Sequence, residues 1–310
     1  MSRVRKGRPI SGWIILDKPV GLGSTQAVAA VKRNMREAGY GKVKVGHGGT
    51  LDPLATGVLP IALGEATKLC GRMLDASKVY EFTIAFGTET SGLDAEGEVV
   101  STSEVRPTLP QVRAVLPHFT GAIDQIPPAY SAIKIDGKRA YERARSGEQV
   151  EMASRQVQIY GLELSHSDVV SGNAPIDSVT LTVHVSKGTY IRSLARDIAY
   201  ALGTVGHVAM LRRTKAGPFG LKQAISLDKL NEIGKGAPAK DIILPLEAGL
   251  VDIPALDLSP DAAMAIRQGR VLAGVATKDG LYWARDAEMR ALALVEQIGG
   301  ELRTVRGFNL

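Results

Sequence analysis

Residues 45–59 read Val45-Gly46-His47-Gly48-Gly49-Thr50-Leu51-Asp52-Pro53-Leu54-Ala55-Thr56-Gly57-Val58-Leu59. Three glycines surround His47, so the backbone there can take a positive φ or approach a ligand closely. Asp52 stands before Pro53, which biases it away from helix and onto an extended or turn backbone. A carboxylate fixed beside a glycine-rich loop is a candidate nucleophile, acid/base group or charge stabiliser. The same residues also fit a plain turn in which Asp52 accepts hydrogen bonds from neighbouring amides.

Outward from this loop, residues 12–17 form an apolar run of strand length and residues 43–47 a shorter one. Between them the pattern predicts a helix over 24–39, with Ser24 as N-cap, Val28, Val31 and Met35 on one face, and Gly39 as the left-handed terminator. Downstream, 79–87 alternates and is rich in β-formers, 98–102 is a weaker strand, and 157–164 and 179–185 are strands. Residues 109–119 read as a helix interrupted at Pro117, and 191–202 as a helix with a basic face. Strands and helices alternate irregularly, which predicts an α+β fold with a mixed sheet and flanking helices rather than a doubly wound one. Residues 125–153 open with Pro127-Pro128, are dense in charge and look like an excursion from the core. Residues 234–239 resemble a linker. Short strand-like pieces and a polar helix at 262–269 then suggest a small second domain, with the division near residue 250.

A second chemical cluster lies at Ser186-Lys187-Gly188-Thr189-Tyr190-Ile191-Arg192, where a strand ends and a helix begins. Tyr190 and Arg192 sit near that helix N-terminus, a favourable place for anions. Arg192 can pair with a carboxylate such as Asp52 and orient it; it equally fits a surface arginine beside a half-buried tyrosine. Other motifs fail. Gly21-Leu22-Gly23-Ser24 lacks the third glycine and the Gly-Lys-Ser/Thr of a phosphate loop. The five histidines and Cys70 show no metal-ligand spacing, and no serine elbow exists.

The chain has 310 residues, 45 % of them apolar, enough for a large core, and no apolar run approaches the roughly 18–20 residues of a membrane span. Met1 to Arg8 is basic, but no apolar segment follows, so it is not a secretory signal. The lone Cys70 excludes an internal disulfide framework and argues for a reducing compartment. The formal charge is +6; residues 251–310 hold seven Lys/Arg against eight Asp/Glu, so residues 1–250 carry +7. That balance suggests a polyanion, nucleic acid before membrane, as partner.

Residues 46–59 closely resemble the catalytic motif of the TruB family of bacterial tRNA pseudouridine-55 synthases. Ordered companions extend the resemblance over residues 10–250: Asp17-Lys18-Pro19, Lys78-Val79-Tyr80, Gln125-Ile126-Pro127-Pro128 with Tyr130-Ser131-Ala132, the Ser186-to-Arg192 stretch, and His207 to Arg213. The resemblance implies isomerisation of one uridine in the T-loop of tRNA to pseudouridine, without metal or organic cofactor. Asp52 matches the family's essential aspartate, and His47 the residue that fills the space of the flipped nucleotide. Tyr80 matches the aromatic that stacks on the base. Tyr190, Arg192 and Leu211 match pocket residues, and Lys18 a nearby lysine with a structural role. The family often shows Thr-Asp-Thr-x-Asp where this chain has Thr88-Glu89-Thr90-Ser91-Gly92-Leu93-Asp94, which puts the role of Asp94 in doubt. Residues 125–153 resemble the family's RNA-contacting loop, with Lys134, Lys138 and Arg139 as candidate phosphate contacts. The last sixty residues resemble a mostly-β PUA-like domain. The expected partner is the tRNA T-arm stem-loop, bound by a cytoplasmic monomer that needs neither membrane nor protein partner.

Three alternatives remain at this level. A guide-RNA-dependent pseudouridine synthase subunit shares the Asp52 motif, but that class lacks the loop at 125–153. A tRNA-folding chaperone would need no intact Asp52, Tyr80 and Arg192. A small-molecule glycosidase would need a second carboxylate and gains nothing from the positive charge.

Overall fold

The structure, a computed structural model, describes residues 10–131, 133–148, 150–165, 173–275 and 277–310. The basic tail before residue 9, Ala132 and His166 lie outside the described residues. Trp13, Ile14, Ile15 and Leu16 are each at most 1 % exposed, because the strand that carries them is covered on both faces. This strand, β1 (Gly12–Lys18), is followed by helix α1 (Ser24–Glu37), a short β2 (Val45–His47) and β3 (Thr56–Leu63). Helix α2 (Cys70–Asp75) leads to β4 (Lys78–Phe86), a ribbon of β5 (Thr88–Thr90) and β6 (Val99–Thr102), helix α3 (Leu109–Val115) and β7 (Gly121–Gln125). The excursion is a small hairpin of β8 (Lys134–Ile135) and β9 (Lys138–Arg139) with helix α4 (Ala140–Arg145). Then come β10 (Arg155–Leu164), β11 (Ser178–Val185), α5 (Ile191–Ala201), β12 (Gly206–Ala216), β13 (Phe219–Gly220) and α6 (Leu227–Gly234).

Nine of these strands make one sheet ordered β1-β3-β12-β4-β11-β10-β7, with β2 on β3 and β13 on β12, while β5–β6 and β8–β9 pair apart from it. Only the β3–β12 pair is parallel among them, so the sheet is mixed, as the irregular alternation predicts. Period-two alternation sorts the core. Ile14, Leu16, Leu59, Ile61 and Leu63 join α1, α5 and α6 on one face. Trp13, Ile15, Val58 and Ala62 form a second cluster on the other face with Phe219, Leu246 and Phe308.

A second, five-stranded sheet follows residue 254, built from β14 (Ala255–Asp257), β15 (Leu272–Ala273), β16 (Gly280–Arg285), β17 (Ala291–Ile298) and β18 (Glu301–Gly307), with helix α7 (Pro260–Arg267) against it. Among the described residues no helix is long and apolar enough to cross a membrane.

Three expectations need correction. Ser24 does not cap α1: Gly23 holds the cap position, its N–H donating to Gln26 Oε1 at 2.8 Å. The helix of 191–202 has no free basic face, since Arg192 is turned inward at 6 % exposure and Arg196 pairs with Asp197. Residues 234–239 are a surface turn that leads back into the main core, not a linker. Ala239 and Ile242 are buried, and Leu244 exchanges two backbone hydrogen bonds with Trp13, each 2.8 Å.

Candidate active site

Asp52 sits in the loop from β2 to β3, and three side chains fix that loop. Ser24, freed from capping, accepts a hydrogen bond from the Leu51 N–H (2.8 Å) and donates to the Leu51 carbonyl (2.9 Å). Arg213, 1 % exposed in β12, donates to the carbonyls of Val58 (2.7 Å), Gly49 (3.1 Å) and Thr50 (3.4 Å). Lys18, fully buried, donates to the carbonyls of Leu22 (2.6 Å), Pro19 (3.0 Å) and Pro53 (3.2 Å). Burial pushes the Lys18 ammonium down to about 8, and the Asp52 charge pulls the other way. Two glycines make this close packing possible. Gly49 has φ +137°, and at Gly57 (φ +100°) a Cβ would stand 2.2 Å from the Arg213 carbonyl oxygen.

The Asp52 carboxylate does not cap its own turn. Its Oδ2 meets Arg192 Nη2 at 2.9 Å, with Asp52 about two-fifths exposed and Arg192 buried. Arg192 stands in the first turn of α5, and both of its Nη groups are engaged. Nη2 also donates to the Tyr130 carbonyl (2.9 Å), and Nη1 donates to the Gly92 carbonyl (2.8 Å) and to Asp94 Oδ2 (3.2 Å). Asp94, left in doubt by the sequence, is 7 % exposed and joins Asp52 on the same guanidinium.

A cavity of about 330 Å³ opens beside this pair. It brings together Asp52, Tyr80, Tyr190, Arg192 and Leu211, which come from the β2–β3 loop, β4, α5 and β12. Tyr190 caps α5, and buried Gln125 grips its backbone, accepting from its N–H (2.7 Å) and donating to its carbonyl (3.1 Å). The Arg155 guanidinium lies 4.8 Å from the centre of the Tyr190 ring. Lys78, Ser131, Arg155 and Arg213 line the same cavity. Its wall therefore carries cations and aromatic rings around a single carboxylate.

Two expected residues lie outside that lining. Lys18 works beneath the loop. His47 is half-buried in β2, where its Nδ1 accepts from the Gly49 N–H at 3.4 Å; burial and Arg213 hold its imidazole below the usual histidine range. Lys134, Lys138 and Arg139 are exposed on the β8–β9 hairpin, and none makes an ion pair among the described residues. Arg143 by contrast is committed to Glu148 (2.7 Å) and Asp136 (3.3 Å). Sequence reasoning gave no role to Arg213, Lys78, Gln125 or Arg155. The first three lie in stretches that mattered only as ordered companions, and a buried arginine in a strand leaves no periodic signal.

Among the described residues no group of three or more His, Cys, Asp or Glu is placed to hold a metal ion. The mixed sheet that holds this Asp–Arg pair is shared with a solved structure. The structure titled "Structure of H/ACA RNP bound to a substrate RNA containing 2'-deoxyuridine" superposes with a TM-score of 0.72 at 25 % identity, covering 100 % of this chain and 92 % of that one. The family described as "TruB family pseudouridylate synthase (N terminal domain)" matches residues 36–191. "tRNA pseudouridylate synthase B C-terminal domain" matches 192–251, and "tRNA Pseudouridine synthase II, C terminal" matches 253–309. The chain belongs to the TruB family, and it is an enzyme of the isomerase class. Relatives named tRNA pseudouridine synthase B include one from Novosphingobium aromaticivorans, 67 % identical over 97 % of this chain and 98 % of the relative. Another, from Zymomonas mobilis, is 55 % identical over 97 % and 96 %.

Proposed function

We propose that this protein isomerises a specific uridine in the T-loop of tRNA to pseudouridine, with Asp52 as the essential carboxylate and no metal or organic cofactor. The observation that carries the reading is the Asp52–Arg192 pair at the cavity wall, 2.9 Å apart and anchored by a buried guanidinium. The C1′–N1 bond must break, the base must turn, and a C1′–C5 bond must form while C5 loses a proton and N1 gains one. Positive charge develops on the ribose as the first bond breaks, as in glycoside cleavage. A carboxylate held at one point is the group such a step needs, and an arginine anchored to two carbonyls and Asp94 holds it there by charge. Tyr80 stacks on the base, Tyr190 and Leu211 close the pocket, and Lys18 supports the loop from below.

The target uridine is buried in the folded T-loop and must be flipped out, at about a few kcal/mol. His47 lies outside the cavity lining but at the end of β2, where the Asp52 loop begins, and from there it can fill the space the base leaves; its work is shape and hydrogen bonding. Lys134, Lys138 and Arg139 contact phosphates. The protein acts as a single cytoplasmic chain: residues 1–250 do the chemistry, and residues 251–310 form a PUA-like unit whose −1 balance gives it a minor part in attraction.

The test is incubation of the purified chain with an unmodified tRNA transcript, in buffer and in EDTA, followed by mapping of pseudouridine. The expected product is one pseudouridine in the T-loop under both conditions. Asp52→Asn abolishes it while tRNA affinity stays within about tenfold, roughly 1.4 kcal/mol. Near-normal turnover by Asp52→Asn overturns the assignment.

A further inference from the structure

The cavity contains a hydroxyl that neither the fold nor the chemistry above employs. Ser131 is 4 % exposed and lines the same cavity as Asp52 and Arg192, yet its Oγ has no hydrogen-bond partner among the described residues. Five buried side-chain atoms share that condition, and two of them, Ser131 Oγ and Arg155 Nε, line this cavity. Burying a hydroxyl without a partner is costly, so native proteins pair nearly all such groups. The backbone around Ser131 is fully committed. Its N–H donates to the Ala129 carbonyl (2.9 Å), its carbonyl accepts from Tyr141 N–H (3.0 Å), and the preceding carbonyl of Tyr130 accepts from Arg192 (2.9 Å). The guanidinium that pairs with Asp52 thus helps to fix the backbone beside this hydroxyl, whose own bonding capacity is unspent.

We propose that Ser131 Oγ hydrogen-bonds the flipped uridine itself, through a base carbonyl or a ribose hydroxyl, and so positions the nucleoside against Asp52. Depth argues for the nucleoside over a backbone phosphate. Ser131 and Arg192 are both under 7 % exposed, whereas the cations that suit phosphates, Lys134, Lys138 and Arg139, stand out in solvent. A serine hydroxyl donates as well as accepts, so it serves either partner. The inference rests on the isomerase reading and adds a substrate-binding residue to it.

The test compares Ser131→Ala with its parent, both carrying Asp52→Asn so that the RNA is not converted. Binding is measured for three T-arm stem-loops whose target position is uridine, 2′-deoxyuridine or an abasic ribose. Loss of one neutral hydrogen bond weakens binding to the uridine stem-loop about three- to tenfold. That loss disappears on the abasic RNA if the base is the partner, and on the deoxy RNA if the ribose hydroxyl is. No loss on any RNA, or the same loss on all three, overturns the proposal. The thermal midpoint of free Ser131→Ala should equal or exceed that of its parent, because an unpaired buried hydroxyl has been removed. A lower midpoint means that the hydroxyl is already partnered in the free protein, and overturns the proposal as well. The unsubstituted chain, assayed for pseudouridine alongside, reports separately on the isomerase reading: no product there takes that reading down and this inference with it.

Discussion

Arg192 meets two carboxylates and two carbonyls with one planar fork, and a lysine in its place would lack the geometry to reach all four. Nη1 is held by Asp94 and the Gly92 carbonyl and Nη2 by the Tyr130 carbonyl, which keeps Nη2 2.9 Å from Asp52, whose side chain stays partly open to the cavity. His47 shows a different constraint. Burial, reinforced by Arg213, places its folded pKa below the unfolded value near 6.5. Between those two values the unfolded chain binds more protons than the folded one, so stability rises with pH across that window. It is complete above about 6.5 and is lost as pH falls through the folded value. His47→Gln, which cannot titrate, is expected to show a flatter decline in unfolding free energy between about pH 7 and 5, read from urea titrations at successive pH values. Equal slopes for the two proteins would remove His47 as a source of acid sensitivity. At pH 7 the imidazole is neutral, which suits a residue whose proposed task is to occupy space.

The β8–β9 hairpin shows how an element's charges divide into structural and available ones. Arg143 is bound to Asp136 and Glu148 within the excursion, and the Arg145 guanidinium lies 5.5 Å from the centre of the Tyr141 ring, whereas Lys134, Lys138 and Arg139 have no ion-pair partner among the described residues. Replacing those three with Gln should leave stability unchanged, since they are exposed, and should weaken RNA binding. Each phosphate contact adds about 0.7–0.9 to the slope of log affinity on log salt, so the slope should fall by about two units. An unchanged slope in a salt titration would mean that the hairpin does not touch phosphate. This division could not be read from composition, which shows only a charge-dense segment. Elements whose residues obey one period were legible: β1, α1, β4 and β11 match the runs at 12–17, 24–39, 79–87 and 179–185 within a few residues. Strand β12 was not read as a strand. Two register shifts interrupt its pairing with β4, and Arg213 is buried where an alternating pattern calls for an apolar side chain. The strand that carries Leu211 was thus hidden by the same buried arginine that anchors the Asp52 loop. The Asp52 loop itself was legible through the resemblance of residues 46–59 to the family's motif, since three glycines and an Asp-Pro step alone also fit a plain turn; the grip of Gln125 on Tyr190 and the burial of Ser131 arise from the tertiary fold, which no local pattern announces.

At the scale of the molecule, the two sheets share one hydrophobic cluster. Ala291, Leu294 and Phe308 from the second sheet's side pack into the group that contains Trp13, Ile15, Val58 and Phe219 of the first. Polar bonds rim that contact: Arg72 pairs with Asp252 (2.5 Å), Lys68 donates to the Gly307 carbonyl (2.8 Å), Glu247 accepts from Ala291 N–H (3.1 Å), and Glu65 accepts from Asn309 N–H (2.8 Å). Interfaces of this kind couple unfolding when they are apolar, and let units melt separately when they are polar and wet. Phe308, 6 % exposed near the end of the chain, is the ring that closes the cluster. Phe308→Ala removes that packing and should cost about 3 kcal/mol, as large-to-small aromatic substitutions in a core do. The unsubstituted chain should unfold in one calorimetric transition, because neither sheet can expose its half of the cluster alone. Phe308→Ala should lower the midpoint and split the trace, the C-terminal sheet melting first since it has the smaller core of its own. Arg306→Ala on the exposed side of β18 controls for disturbance of the strand and should leave the midpoint within about 1 °C, a surface change of under 0.5 kcal/mol. Two resolved transitions in the unsubstituted chain would show that the cluster does not couple the sheets.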